Sequence, residues 1–170
     1  ARFWNATDAC CNFGGSTVDD SGYLRGLIEA IEAAVSIDPR SIHLVGHSNG
    51  GFMTYRMACE HSDKIASIAS LAGATCNDPM DCTGTGPVHV LQIHGTTDGT
   101  IRYSGGSILG NVYPSALETA QLWALRNGCG LGVEVEDLAV NLDRGIAGKE
   151  TTKTRFVNDC ASGGSVELWT

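Results

Sequence analysis

The 170-residue sequence predicts an α/β fold, a mostly parallel sheet with helices on both faces. Three observations carry that expectation. Short β-branched runs alternate with amphipathic helical stretches. The pentapeptide Gly46-His47-Ser48-Asn49-Gly50 lies between one such run and the helix that follows it, and the polar string His94-Gly95-Thr96-Thr97-Asp98 closes a later run. No change of composition and no Gly/Ser/Pro-rich linker divides the chain, so residues 1–170 read as one domain.

The elements follow in order. Residues 1–18 hold Trp4, Phe13, Gly14 and Gly15 without a sustained period and read as an irregular loop. Asp19-Asp20-Ser21 offers N-caps for a helix over about 21–36, whose Leu24, Leu27, Ile28, Ile31 and Val35 form one apolar face. Asp38-Pro39-Arg40 stops that helix, because the residue before a proline is pushed out of the helical region. Residues 41–45 then form a short strand of the kind that fills a buried parallel sheet. Residues 49–61 return to helical spacing, with Phe52 and Met53 on the face of Met57 and Ala58. Strands are expected at 65–71 and 88–93. A helix over 115–127 starts after Pro114 and is closed by Gly128. Further strands are expected at 133–142, 151–157 and 166–169. No internal repeat is present.

The strand, turn and helix around the pentapeptide make a nucleophile elbow. Glycines at 46 and 50 permit close approach of strand and helix, and the strained turn exposes the Ser48 hydroxyl. The backbone N–H of Asn49, at the start of the helix, points where an oxyanion would form. A competing reading makes Ser48 only a helix cap, a role serine favours. In open parallel sheets the chemistry gathers at the carboxyl ends of strands, where both Ser48 and Asp98 fall. Asp98 follows Ser48 by fifty residues, and serine followed by acid is the chain order of an α/β-hydrolase.

Composition excludes several other classes. The net charge of −8 and the scatter of the three lysines leave no basic stripe for a nucleic acid. Gly, Ser or charged residues interrupt every apolar stretch well short of a bilayer, so no membrane span is expected. The seven cysteines, at 10, 11, 59, 76, 82, 129 and 160, have no C-x-x-C pair and little suitable histidine spacing for zinc. Disulfides and an oxidising, secreted setting account for them better. Up to three bridges and one unpaired thiol are expected. Adjacent Cys10 and Cys11 are poorly placed to bond each other, Cys76 with Cys82 would close a short loop, and Cys129 with Cys160 would tie a helix end to a late strand. Asn5-Ala6-Thr7 is a glycosylation sequon. No metal and no organic cofactor is implied.

Taken together, Trp4 to Cys11, Val18-Asp19-Asp20, Asp38-Pro39-Arg40, Gly46-His47-Ser48-Asn49-Gly50-Gly51 and Ile93-His94-Gly95-Thr96-Thr97-Asp98 resemble the polyhydroxybutyrate depolymerase and feruloyl esterase family of secreted α/β-hydrolases. The resemblance runs through nearly the whole chain. It implies a Ser-His-Asp enzyme that cleaves carboxylic esters, with Ser48 matching the nucleophile and Asp98 the acid. It also implies an HG-type oxyanion loop on earlier strands and a catalytic histidine after the last one. By that pattern the chain is a partial catalytic domain, beginning after the first feature and ending before the second. Arg102, before Tyr103, stands where the family commonly has proline. With early strands missing, residues 41–46 would lie on an open sheet edge and invite a further chain or the missing segments.

Five histidines remain as substitutes for the base. His47 is inside the elbow and points away from the serine, His43 is mid-strand, His61 ends a helix, and His89 begins a strand. His94 shares the active edge with Asp98 and is the weak candidate within the chain. The expected function is therefore a serine esterase acting through an acyl-enzyme on Ser48, on feruloyl or acetyl esters of polysaccharides or on hydroxyalkanoate polyesters. This polypeptide is expected to be impaired for want of a catalytic histidine. The alternative is a non-catalytic hydrolase-like module that binds polymer or a partner through the same cleft, with Trp4, Trp123 and Trp169 as aromatic surface.

Overall fold

A computed structural model describes residues 2–130, 134–156 and 158–170. The expected strand start at Val133 and strand end at Val157 lie outside the described residues, as does Ala1. The chain runs α1 (Asp20–Ala34), β1 (His43–His47), α2 (Asn49–Glu60), β2 (Ser67–Leu71), β3 (His89–Ile93), β4 (Gly106–Ile108), β5 (Asn111–Tyr113), α3 (Ala116–Arg126), β6 (Glu134–Val140), β7 (Thr151–Phe156) and β8 (Val166–Trp169). Six strands form one sheet in the order β1-β2-β3-β8-β7-β6, and β4 pairs with β5 in a separate hairpin. β1, β2, β3 and β8 are parallel, whereas on the far side β7 pairs antiparallel with β8 and β6 antiparallel with β7. The mostly parallel α/β sheet is as the sequence predicts.

The helices α1 and α3 start where the chain supplies a side-chain partner for a free N–H group. The Asp19 side chain accepts from Gly22 N–H to cap α1, and Ser115 with Glu118 closes a reciprocal capping box on α3. The β4–β5 hairpin was not legible in the sequence. Its turn places Leu109 and Gly110 at φ of 48° and 92°, the left-handed pair that a tight hairpin demands, and leucine is an unusual residue to supply half of it.

The register explains the core. Leu44, Ile68, Val90, Val166 and Phe156 stand side by side across five strands and share one face. Tyr55, Ala58, Ala120, Trp123 and Ala124, from α2 and α3, join that row in a single cluster, with the Tyr55 and Trp123 rings 5.7 Å apart. A second cluster, with Phe52, Met53 and Met57, fills the space between α2, the N-terminal loop and the β4–β5 region. α1 packs on α2, with Leu24 and Ile28 against this cluster. The three α-helices among the described residues therefore lie on one side of the sheet, where the sequence predicts helices on both. The opposite row, Val45, Ala69, Leu91 and Glu167, is uncovered among the described residues, and Val45 is 83% exposed. β1 is first in the strand order, so it is hydrogen-bonded along one side only.

Three disulfides form, and Cys76 remains a buried free thiol. Cys129 pairs with Cys160 as expected, joining the end of α3 to the loop before β8. Two expectations are corrected. Cys82 pairs with Cys59 rather than Cys76, because the loop after the single 3-10 turn Pro79–Asp81 folds back on the end of α2, where Gly84 N–H donates to the Cys59 carbonyl. Cys10 pairs with its neighbour Cys11, with Cys11 held at φ of 91°. Cys76 lies in the core beside Thr75 as a free thiol, and burial pushes its thiol pKa up.

Candidate active site

The site is built at the carboxyl ends of β1, β2 and β3. Ser48 follows β1 and adopts φ of 54° and ψ of −122°, a region that costs a non-glycine residue about 1–3 kcal/mol. The turn is locked from both sides. Ser48 N–H donates to the Leu71 carbonyl at the end of β2 at 2.8 Å, and the Ser48 carbonyl accepts from Phe52 N–H at 3.1 Å to start α2. The serine side chain makes no capping hydrogen bond. That removes the reading of Ser48 as a simple helix cap. Its hydroxyl is left free at the head of the strand.

Close backbone packing forces this geometry. A Cβ on Gly46 would collide with the Gly50 carbonyl, so β1 and α2 can turn this tightly only if residue 46 is glycine. Gly50 itself has open space where a side chain would be, and its share of the crowding is its carbonyl. The second contact that needs glycine is between Gly51 and Gly73. A Cβ on Gly51 would meet Gly73 Cα at 3.1 Å and Ser70 Oγ at 2.8 Å. Sequence reasoning missed Gly73, which lies outside the pentapeptide.

Asp98 lies in the loop after β3, two strands from Ser48, a lateral separation of about 10 Å. Its Oδ1 accepts from Thr100 N–H at 2.8 Å and Ile101 N–H at 3.1 Å, which fixes the carboxylate in a tight turn. Among the described residues Oδ2 has no such partner, which leaves it able to accept from a ring N–H. The nearest imidazole belongs to His94, with Nε2 3.9 Å from Oδ2, too far for a hydrogen bond.

His94 has another task. It is 2% exposed, its Nδ1 accepts from Gln92 Nε2–H at 3.1 Å, and Nε2–H donates to the Ile101 carbonyl at 2.6 Å. Gln92 is fully buried, accepting from Tyr55 Oη at 2.8 Å and donating to the Gly73 carbonyl at 2.8 Å. A buried polar chain thus runs from α2 through β3 to the loop carrying Asp98. A signal for Gln92 was present in the sequence, a polar residue set among Val90, Leu91 and Ile93.

The other histidines are also away from Ser48. His43 bonds Ser67 Oγ at 2.7 Å, and His89 bonds Ser165 Oγ at 2.7 Å, both at the amino ends of their strands. His61 meets Ser21 Oγ at 2.9 Å through Nε2 and Arg25 Nη1 at 3.1 Å through Nδ1. Because the guanidinium can only donate, Nδ1 is the acceptor and Nε2–H donates to Ser21, so this serine and histidine tie α1 to α2. His47 alternates with Gly46 onto the uncovered side of β1. Among the described residues no histidine is hydrogen-bonded to Ser48.

The N-terminal loop closes over the start of α2. Asn49 Oδ1 accepts from Trp4 N–H at 2.6 Å and Asn49 Nδ2 donates to the Trp4 carbonyl at 2.9 Å. Asn5 is held in turn by Asp20 and Arg56, and its side-chain amide donates to the Ser16 and Val18 carbonyls. The sequon amide is therefore spent inside the fold, and a glycan on Asn5 Nδ2 would break these bonds.

The description of the phospholipase/carboxylesterase family matches residues 17–128, which contain α1, the elbow, Asp98 and α3. The chain belongs to that family. Among similar proteins, feruloyl esterase B of Piromyces equi is 29% identical over 134 residues, covering 74% of this chain and 24% of that protein. A probable feruloyl esterase C of Aspergillus terreus is 31% identical over 112 residues, 65% of this chain and 37% of that protein. Feruloyl esterase C of Emericella nidulans is 29% identical over 98 residues, 57% of this chain and 35% of that protein. This carboxylesterase-family chain thus spans between a quarter and somewhat over a third of the length of these relatives.

Proposed function

We propose that the chain carries the nucleophile and the acid of a serine carboxylesterase that works through an acyl-enzyme on Ser48. The observation that carries this reading is the strained, uncapped Ser48 at the head of β1, two strands from a carboxylate with one unengaged oxygen. Ser48 Oγ attacks the ester carbonyl, and the Asn49 N–H donates to the oxyanion. The serine proton passes to an imidazole and from there to the leaving alcohol. Asp98 Oδ2 accepts from the other ring N–H and stabilises the cation. Water, deprotonated by the same imidazole, then releases the acid. The substrates of this reading are feruloyl or acetyl esters on polysaccharide, or hydroxyalkanoate polyesters. The three disulfides support a secreted setting.

The five histidines are all engaged or directed elsewhere, so we expect this polypeptide alone to turn over esters poorly. One observation favours the second reading, a non-catalytic binding module, and it is the same one: no imidazole reaches Ser48 among the described residues. Triad removal typically lowers turnover by about 10⁴-fold or more while leaving the oxyanion hole intact. The test is a fluorophosphonate probe with mass-spectrometric site mapping, beside an aryl-ester assay. Slow modification at Ser48 that Ser48→Ala abolishes is the expected result. Equal labelling of the Ser48→Ala protein would sink the nucleophile assignment.

A further inference from the structure

Cys76, a buried free thiol, does not lie alone. It shares one core cluster with Cys59, Cys82 packs against the same cluster, and those two cysteines form a disulfide. Cys76 lines two cavities. One, of about 370 Å³, is lined by Cys76 and Cys59 together with Asp8 and Asp81. The other, of about 40 Å³, has room for a few waters at most and is lined by Cys76 and Cys82 together with Trp123 and Arg126. Each end of the bridge therefore shares a cavity with the thiol. The two ends differ in exposure: Cys59, on α2, is 4% exposed, whereas Cys82, directly after the 3-10 turn, is half-buried. Arg126 completes the cluster. Its guanidinium donates to the Cys82 and Gly84 carbonyls, and its Nε is buried without a hydrogen-bond partner. Among the described residues it reaches no carboxylate, so its charge is available to a sulfur anion at Cys82, whose main chain it already holds.

We propose that Cys76 is the attacking sulfur of an internal thiol–disulfide exchange that moves the free thiol from the core to Cys82, a modification site which the resting pairing conceals. The Cys76 thiolate attacks Cys59 Sγ. The Cys59–Cys82 bond breaks as a Cys59–Cys76 bond forms, and the electron pair leaves on Cys82 Sγ, which takes a proton from water. The number of disulfides is unchanged, so the step needs neither oxidant nor reductant. Cys82 is the better leaving group, because solvent and Arg126 both stabilise its anion. The loop keeps its place once the covalent tie is lost, since Gly84 N–H donates to the Cys59 carbonyl at 2.7 Å and Arg126 holds two loop carbonyls. The outcome is an accessible thiol, open to electrophiles and to small soluble disulfides. Burial holds Cys76 in its thiol form at neutral pH, and the Asp8 and Asp81 carboxylates add to that effect against the contact with the Thr75 hydroxyl. The exchange is therefore slow at rest and quickens as pH rises.

The test maps thiols in the folded chain with no reductant present. The protein is incubated between pH 7 and pH 8.5 with a bulky, charged iodoacetamide, quenched in acid, digested without reduction and read by mass spectrometry. The expected result is label on Cys82 together with a Cys59–Cys76 disulfide peptide. Labelling should quicken about tenfold per pH unit, with the thiolate fraction, and should not depend on protein concentration. Cys76→Ser should leave Cys82 unlabelled, and Arg126→Gln should slow its labelling about tenfold. If Cys76→Ser fails to fold, the wild-type map decides alone. Label confined to Cys76, no label on any cysteine, or label on Cys82 that persists in Cys76→Ser would overturn the exchange. A rate that grows with protein concentration would overturn it too, because the attack would then come from another molecule. Label on Cys59 would place the attack on the wrong sulfur, and a wild-type rate in Arg126→Gln would remove the guanidinium from the mechanism.

Discussion

Ser48 and Gly46 show how much of a site can be set by single residues. Serine sits in a backbone region suited to glycine, and glycine sits where any Cβ would strike the first turn of α2. The elbow therefore depends on Gly46 sterically and not through its flexibility, since the clash is with main chain of Gly50 and Gly51 that cannot swing aside. We expect Gly46→Ala to destabilise the fold by about 1–3 kcal/mol, read as a lower urea midpoint with an unchanged slope. A midpoint at the wild-type value would show that the elbow can relax. The places of Ser48 and Asp98 at the carboxyl ends of two parallel strands were legible from sequence, because each belongs to a short motif that closes an apolar run. The role of His94 was not. Spacing alone placed it at the active edge, and only the structure shows both ring nitrogens already committed, to Gln92 and to Ile101.

Among the elements, α3 was read correctly from Pro114, the apolar spacing and Gly128, and the structure adds its capping box. Ser115 N–H and hydroxyl both donate to Glu118, holding its carboxyl below the usual range, backbone bond first. A carboxyl whose folded pKa is depressed contributes stability above its unfolded value of about 4.3. That contribution is lost as pH falls through the lower folded value. Glu118→Ala should therefore be less stable than wild type near neutrality, and the gap should close in acid below the usual carboxylate range. Urea midpoints measured from pH 7 to pH 3 test this, and a gap that widens in acid would contradict it. Ser115→Ala should cost about 1 kcal/mol at neutral pH. The β4–β5 hairpin escaped the sequence reading for a plain reason. Its strands are three residues each, too short for alternation to register, and its turn rests on Leu109 in a left-handed conformation.

At the scale of the molecule, the order of strands and helices was legible, while the side of the sheet that each helix occupies was not. Periodicity tells which face of a helix is apolar, and it says nothing of which face of the sheet receives it. Long-range pairing was equally opaque: the partner of Cys82 depends on how a loop returns to α2, not on spacing in the chain. Among the described residues β1 ends the strand order, and Val45, on the face away from the helices, is bare. The buried chain from Tyr55 through Gln92 to His94 and Ile101 has a kinetic meaning as well. It joins α2, the helix that follows Ser48, to the turn that holds Asp98 by an unbroken run of buried hydrogen bonds. Amide hydrogens of Thr100 and Ile101 should then exchange with solvent in step with those of α2, and Gln92→Leu should uncouple them, a difference that native-state exchange in dilute denaturant resolves. If the acid turn already exchanges independently in the wild-type chain, the seam does not bind the two. Joined in this way, the Ser48 turn and the Asp98 turn would be lost in one opening event, so partial unfolding would not leave one of them standing without the other.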